Sequence, residues 1–392
     1  MSSQRTPKPV RSYHLIALIL LVAFAAQCSW FIYSVPLTQL EADQVLRGAA
    51  SLHSTPRHLQ LDAESASSPL VPLLSVAGLS FRLPRDPLQL DAIWLDQHRW
   101  FIRAPFLLAG LALAFSLWYI ARRLYGTAAG NIALALFAFS PGMVARSSLA
   151  GPQIFAAWGA FGLIFTAIAT AHTLYAPRGV IFWNWKRILL LGVSITFAVG
   201  AQWPLVWLLV PAAAFMLWAV PHRRPAALLI LLAAAILALL LLGACYGADL
   251  RSLAEGLVQA GWVSWTPLSL RLLEGILVRF FFNAAPAALL AFFFALAAWC
   301  SSRRSRFFGN TAPLIVFVMM LAISILFPQN GASAILFASL PFLLLFVAGV
   351  FADLIESRLQ APAYAFLFAV IAAQAAYSII SLARMYSRPL GS

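Results

Sequence analysis

Fifteen residues, Gln39 to His53 (QLEADQVLRGAASLH), carry two carboxylates, Glu41 and Asp43, directly after the first apolar run. A carboxylate at such a position can take a proton from a hydroxyl group or orient it. Arginines near the ends of other apolar runs, among them Arg103, Arg146, Arg271 and Arg279, can grip a phosphate with the planar guanidinium fork. On a helix, residues two apart point to different faces, so one of Glu41 and Asp43 at most faces any single site. The chain has only two lysines, Lys8 and Lys186, both beside basic clusters, so a phosphate site away from those clusters has to be built from arginine.

Composition sets the medium in which these residues work. Of 392 residues, 62% are hydrophobic and 10% charged, more apolar surface than a soluble core can hide. The net charge of +14 comes from short arginine clusters between apolar runs, a topology signal that does not argue for nucleic acid. Runs near the span length fall at about 15–35, 103–120, 128–145, 153–173, 226–246, 284–300, 311–327, 332–351 and 361–382. The stretch 188–220 is too long for one crossing, and Gly200 and Pro204 divide it into two. The expectation is an all-α polytopic membrane protein with about eleven transmembrane helices, forming one integral domain over residues 1–392.

Five basic clusters (Arg5/Lys8/Arg11, Arg122/Arg123, Arg178/Lys186/Arg187, Arg223/Arg224 and Arg303/Arg304/Arg306) fall on one face if the chain alternates, and that face reads as cytoplasmic. The N-terminus is then cytoplasmic, with the first run an uncleaved anchor, and the C-terminus external. Two external segments result, 36–102 and 247–283. The first holds seven of the twelve carboxylates and the second three more, so polar chemistry concentrates outside. No ionisable residue sits in the middle of a span, which argues against an ion-coupled transporter. In the first segment, residues 36–53 can form an amphipathic helix, and 67–83, interrupted by Pro69 and Pro72, suits an interfacial or re-entrant helix.

Cys28, Cys245 and Cys300 show no CxxC or pairing pattern. His53, His58, Asp62 and Glu64 have no recognised metal-ligand spacing, so no metal and no cofactor is expected. Asp86, Asp91 and Asp96 interleave with Arg82, Arg85 and Arg99 and read as surface ion pairs. Without a Walker loop or a GxGxxG motif, nucleotide-dependent chemistry has no support.

A first span, a long external loop opening with acidic residues and then many short-looped spans resembles the GT-C membrane glycosyltransferases. The bacterial branch related to protein mannosyltransferases and aminoarabinose transferases is the nearest match. The stretch His98–Gly151 carries most of the likeness: the Arg-x-Pro opening of the second span (Arg103, Pro105), the ARRLYG turn and the SP ending of the next span. SPLVPLL resembles the family's proline-rich loop segment, and FPQNGASAILFASLPFLLLFVAGVF its late loop and span. The resemblance implies transfer of a sugar from a polyprenyl phosphate-linked donor to an acceptor at the external face of a bacterial inner membrane. Glu41 or Asp43 would serve as acceptor-side carboxylate, with Arg103, Arg146, Arg271 and Arg279 at the lipid phosphate. The family's usual Asp-Glu pair reads Leu40-Glu41 here, an acidic residue appears as Gln153, a lysine as Gln202-Trp203, and the late basic-aromatic pair is missing from PQNGAS. A second reading therefore stays open: a catalytically inactive GT-C-derived structural or lipid-binding subunit of a membrane complex. Expected partners are membrane lipids and, on this second reading, other membrane subunits.

Overall fold

The computed structural model describes residues 10–53, 70–79, 82, 91–174, 180–245, 284–302, 305–326 and 332–386. Fifteen α-helices run through these residues: α1 (Val10–Ser34), α2 (Gln39–His53), α3 (Leu70–Ala77), α4 (Ala92–Gln97), α5 (Arg99–Tyr125), α6 (Thr127–Ala138), α7 (Pro141–Ser148) and α8 (Pro152–Leu174), then α9 (Val180–Ala201), α10 (Leu209–Ala219), α11 (Arg224–Cys245), α12 (Pro286–Ser301), α13 (Phe308–Leu326), α14 (Ala332–Ile355) and α15 (Gln360–Tyr386).

By length and apolar composition, seven of the described helices can cross a membrane, or eight if the bent pair α6–α7 counts as one span. About eleven was expected. The difference lies in shorter apolar pieces such as Trp203–Ala219 and Pro286–Ser301, and in α9, which opens with the polar turn Trp183-Asn184-Trp185-Lys186-Arg187. Residues 128–145, expected as one straight run, bend by 65° between α6 and α7. Pro141 cannot continue an α-helical ladder from the preceding turn and instead starts a new helix at its first position. The expected break in 188–220 is present: α9 ends at Ala201, a 3₁₀ turn covers Trp203–Leu208, and α10 follows.

Breaks at membrane depth release backbone groups that lipid cannot satisfy. Side chains take their place. At the α6–α7 bend, Gln27 Nε2 donates to Ala138 O (3.0 Å), and Ser140 Oγ donates to Ala284 O (2.8 Å). The first turn of α12 directs its Ala287 and Ala288 N–H groups to Gln374 Oε1 (3.0 and 3.3 Å), and Ser378 Oγ donates to Gln27 Oε1 (2.9 Å). Thus α1, α6, α12 and α15 are tied by a polar chain inside an otherwise apolar bundle.

The bundle centres on α14, whose most apolar stretch is wholly buried. It packs against α6, α8, α12 and α13, with Phe342 against Phe161 and Phe165 (centroids 5.5 and 6.0 Å) and Phe346 against Phe292 (5.8 Å). Helices α8 and α9 approach so closely that a Cβ on Gly159 would overlap the backbone nitrogen of Ala198. Such small-residue contacts let backbones pack where no hydrophobic effect drives helices together in lipid.

At a rise of 1.5 Å per residue, the 27-residue α5 is about 40 Å long, so its termini mark the two ends of the bundle. Its C-terminal end is basic. Arg122 lies over Trp118 (5.2 Å), Tyr125 donates to Gly309 O (2.5 Å), and Asn310 Nδ2 donates to Asp353 Oδ2 (2.9 Å). Gly126, at φ +93° and ψ 178°, turns the chain from α5 into α6 in a conformation that L side chains rarely adopt. The opposite end of α5 carries Arg99 and Arg103, and the candidate site is built there.

Candidate functional site

Thr38 and Glu41 start α2. Thr38 Oγ1 accepts the Glu41 N–H (3.3 Å), and Glu41 Oε2 accepts the Thr38 N–H and hydroxyl (both 3.0 Å). This is a reciprocal capping box, in which the third helical residue closes back on the cap. It fixes where the glutamate points, into the bundle, where it is 2% exposed.

There it meets Arg103, fully buried on α5. The guanidinium donates from Nε to Glu41 Oε1 (2.8 Å) and from Nη2 to Oε2 (2.7 Å), a bidentate pair. Its remaining donors hold the turn that leaves α1: Nη1 reaches Val35 O (2.7 Å) and Ile32 O (3.4 Å), and Nη2 reaches Pro36 O (2.9 Å). Glu41 Oε1 also accepts the Ala150 N–H (2.8 Å) from the turn between α7 and α8. One turn earlier on α5, Arg99 Nη2 donates to Tyr33 O (2.7 Å) and pairs with Asp96 (3.3 Å), while Asp96 Oδ1 accepts the Leu37 N–H (2.8 Å). Two arginines at i and i+4 of α5 and two carboxylates thus pin the α1–α2 turn to the bundle. Burial pushes the Glu41 carboxyl up; the Arg103 guanidinium, with the Ala150 and Thr38 N–H groups, outweighs this and holds it below the ordinary carboxylate range.

The residues expected at the site therefore fall into separate groups. Glu41 and Arg103, expected in different roles, form one ion pair, and each is saturated by protein partners. Asp43 is exposed and has no hydrogen-bond or ion-pair partner among the described residues. Arg146 is half-buried on α7 and likewise has none. It shares a helix face with Gly142, four residues earlier, and Gly142 sits so close to Ala284 that an added Cβ would come within 2.8 Å of the Ala284 Cβ. Arg146 therefore lies on the side of α7 that packs near Ala284, just before α12. Arg271 and Arg279 lie outside the described residues, as do His58, Asp62, Glu64, Arg85 and Asp86. Of the ion pairs expected further along the loop, Asp96–Arg99 forms, whereas Asp91 caps α4 by accepting the Trp94 N–H (2.7 Å).

Some members of this region carried no sequence signal of chemistry. Gln44 Oε1, Ser34 Oγ, Ser147 Oγ and Trp203 Nε1 are buried with no hydrogen-bond partner among the described residues, and Gln44 is on the face of α2 that Glu41 occupies, three residues on. The capping box was legible as Thr38-x-x-Glu41. That spacing is the signal that could have assigned Glu41 its structural partnership.

Residues 92–245 match the family model described as dolichyl-phosphate-mannose-protein mannosyltransferase. A search of curated proteins finds no match. Among solved structures, the apo form of the Archaeoglobus fulgidus oligosaccharyltransferase aligns at TM-score 0.57 and 14% identity, over 98% of this chain and 57% of that one. The archaeal oligosaccharyltransferase AglB from Archaeoglobus fulgidus, in complex with an inhibitory peptide and a dolichol-phosphate, aligns at 0.58 and 13%, over 94% of this chain and 56% of that one. This chain thus spans little more than half the length of those enzymes. It is a multi-pass membrane protein built on the GT-C fold, and the superfamily resemblance read from its sequence is carried by both comparisons.

Proposed function

We propose that this chain transfers a sugar from a polyprenyl phosphate-linked donor to an acceptor at the external face of a bacterial inner membrane, with its N-terminus cytoplasmic and its C-terminus external. The observation that carries the reading is Arg146, a half-buried cation with no partner among the described residues, on the side of α7 that packs near Ala284. A buried charge is costly unless paired, and a lipid phosphate is an anion that can pair with it. The solved neighbour in complex with dolichol-phosphate supports a lipid phosphate on this fold.

Asp43 takes the role of acceptor-side carboxylate. The acceptor oxygen bonds to the anomeric carbon as the bond from that carbon to the phosphate oxygen breaks. Asp43 accepts the hydroxyl proton, and polyprenyl phosphate departs with the electron pair toward Arg146, with Arg271 and Arg279 as further candidates for the same charge. Glu41 and Arg103 position α2 and touch neither reactant.

A second reading, a catalytically inactive GT-C-derived subunit of a membrane complex, is favoured by one observation. Leu40 is 61% exposed where the family's aspartate would stand, and the adjacent glutamate is consumed by Arg103. Purified protein carrying Asp43→Asn or Arg146→Gln separates the two. On the transferase reading, Asp43→Asn lowers sugar transfer roughly 10²–10⁴-fold, and Arg146→Gln weakens polyprenyl phosphate retention by about 1.5–3 kcal/mol, the scale of one charge-assisted hydrogen bond. Parental transfer and retention in both variants would sink it.

A further inference from the structure

On α5, Phe115, Trp118 and Arg122 stand at i, i+3 and i+7, a single stripe that runs toward the basic end of the bundle. Trp118 is its floor. The indole is 8% exposed, and its Nε1 donates to Asn131 Oδ1 (3.2 Å), so what it offers is ring surface. Phe115, exposed, lies 5.7 Å from it on the side toward the middle of the helix. The neighbouring α1 packs along α5 and brings exposed His14 against the same indole, edge on (5.8 Å, 64°). One turn deeper on α1, on the face of His14, Leu18 is exposed as well. The seam between α1 and α5 is thus apolar toward the middle of the bundle and carries a cation at its end.

That cation is half-buried and has no counter-charge. Arg122 lies over the Trp118 ring (5.2 Å), and among the described residues its guanidinium has no hydrogen-bond or ion-pair partner. A partly desolvated charge is costly unless paired, and at the end of a membrane-crossing helix the anions at hand are lipid phosphates. Arg123, on the adjacent face, adds a second positive charge, its Nη1 donating to the Tyr119 hydroxyl (3.2 Å). Two cations side by side attract a headgroup of net negative charge and repel the positive group of a zwitterionic one. We propose that the α1–α5 seam binds one anionic phospholipid of the leaflet at the basic end, its phosphate on Arg122 and one acyl chain along Phe115 and Leu18. Arg122 is about 28 Å along α5 from Arg103, so the site is separate from the sugar-transfer chemistry and does not depend on it.

The test uses the full-length protein in nanodiscs containing equal phosphatidylglycerol and phosphatidylcholine, followed by native mass spectrometry of the lipid that stays bound. The parent retains phosphatidylglycerol in preference to phosphatidylcholine, and excess inorganic phosphate does not displace it. Arg122→Gln lowers retention of phosphatidylglycerol roughly fivefold, the scale of one basic residue beside an anionic lipid, and erases the preference. Arg122→Lys keeps the charge and keeps the preference. Arg123→Gln removes the same charge from the adjacent face and leaves the bound lipid in place. Phe115→Ala lowers retention of both lipids. Equal retention of the two lipids by the parent, parental retention in Arg122→Gln, an equal loss in Arg123→Gln or loss of the preference in Arg122→Lys overturns the proposal. Displacement by inorganic phosphate overturns it too, since the occupant would then be a free anion. Thermal unfolding of each variant at the parental temperature shows that the fold is intact.

Discussion

Replacing Glu41 by glutamine keeps the shape of the side chain and removes its charge. In the parent, the two carboxylate oxygens accept five hydrogen bonds: from Arg103 Nε and Nη2, the Thr38 N–H and hydroxyl, and the Ala150 N–H. A glutamine offers one oxygen and one NH₂, so whichever way the amide turns, donors face donors. Arg103 is left buried with carbonyl partners only. Removing one member of a buried ion pair costs about 3–5 kcal/mol, because the other charge remains uncompensated. Removing both members together costs less than the sum, so Glu41→Gln combined with Arg103→Met should show a coupling of about 1–3 kcal/mol. Reversible unfolding in mixed micelles by SDS titration measures the four stabilities of the cycle. The pH dependence gives a second readout. A carboxyl held below its ordinary value stabilises the fold above the unfolded-state pKa of about 4.3, and that contribution drains away as pH falls through the lower folded-state value. The parent should therefore lose stability in acid along a limb that Glu41→Gln lacks. A glutamine variant as stable as the parent, with the same acid limb, would refute the claim that this pair clamps the α1–α2 turn.

Other outcomes follow from neighbouring features. Arg103→Gln should destabilise the protein by an amount comparable to Glu41→Gln yet leave polyprenyl phosphate affinity, measured on the folded fraction, unchanged; a selective loss of lipid would return Arg103 to the binding site. Gly126→Ala forces a side chain into φ +93° and should cost about 1–3 kcal/mol in the same SDS titration, an effect absent if the turn can relax. Gly159→Ala should cost more than 2 kcal/mol, since the added carbon meets the Ala198 backbone and not a flexible side-chain tip. A cysteine near Asp62 should react with an impermeant thiol reagent from outside and one near Arg304 only from inside; reversed labelling would invert the orientation on which the sugar-transfer reading rests.

Sequence alone settled those features that depend on local chemistry and on the solvent. Runs of apolar residues near the span length can only be helices in lipid, since each backbone group must be satisfied within its own segment. The all-α membrane architecture, the amphipathic α2 and the break before Pro204 were therefore readable residue by residue. The start of α2 could have been read too, beyond the amphipathic helix expected there: Thr38-x-x-Glu41 is a capping box closed within four residues. What Glu41 does after that was not readable. Its partner is 62 positions away, and the amide that completes its shell is 109 away. From composition, Glu41 and Asp43 are two carboxylates on one helix, and Arg103 and Arg146 two arginines at the ends of neighbouring runs. Only the packing of α2 against α5 and the α7–α8 turn makes one of each pair structural and leaves the other without a partner among the described residues. The bend between α6 and α7 depends likewise on distant groups: the Gln27 amide takes up the Ala138 carbonyl, and the Ser140 hydroxyl finds its acceptor at Ala284. Local pattern decides which segments are helices, whereas charge neutralisation and backbone satisfaction in a medium without water are decided by whichever distant groups the tertiary fold brings within about 3 Å.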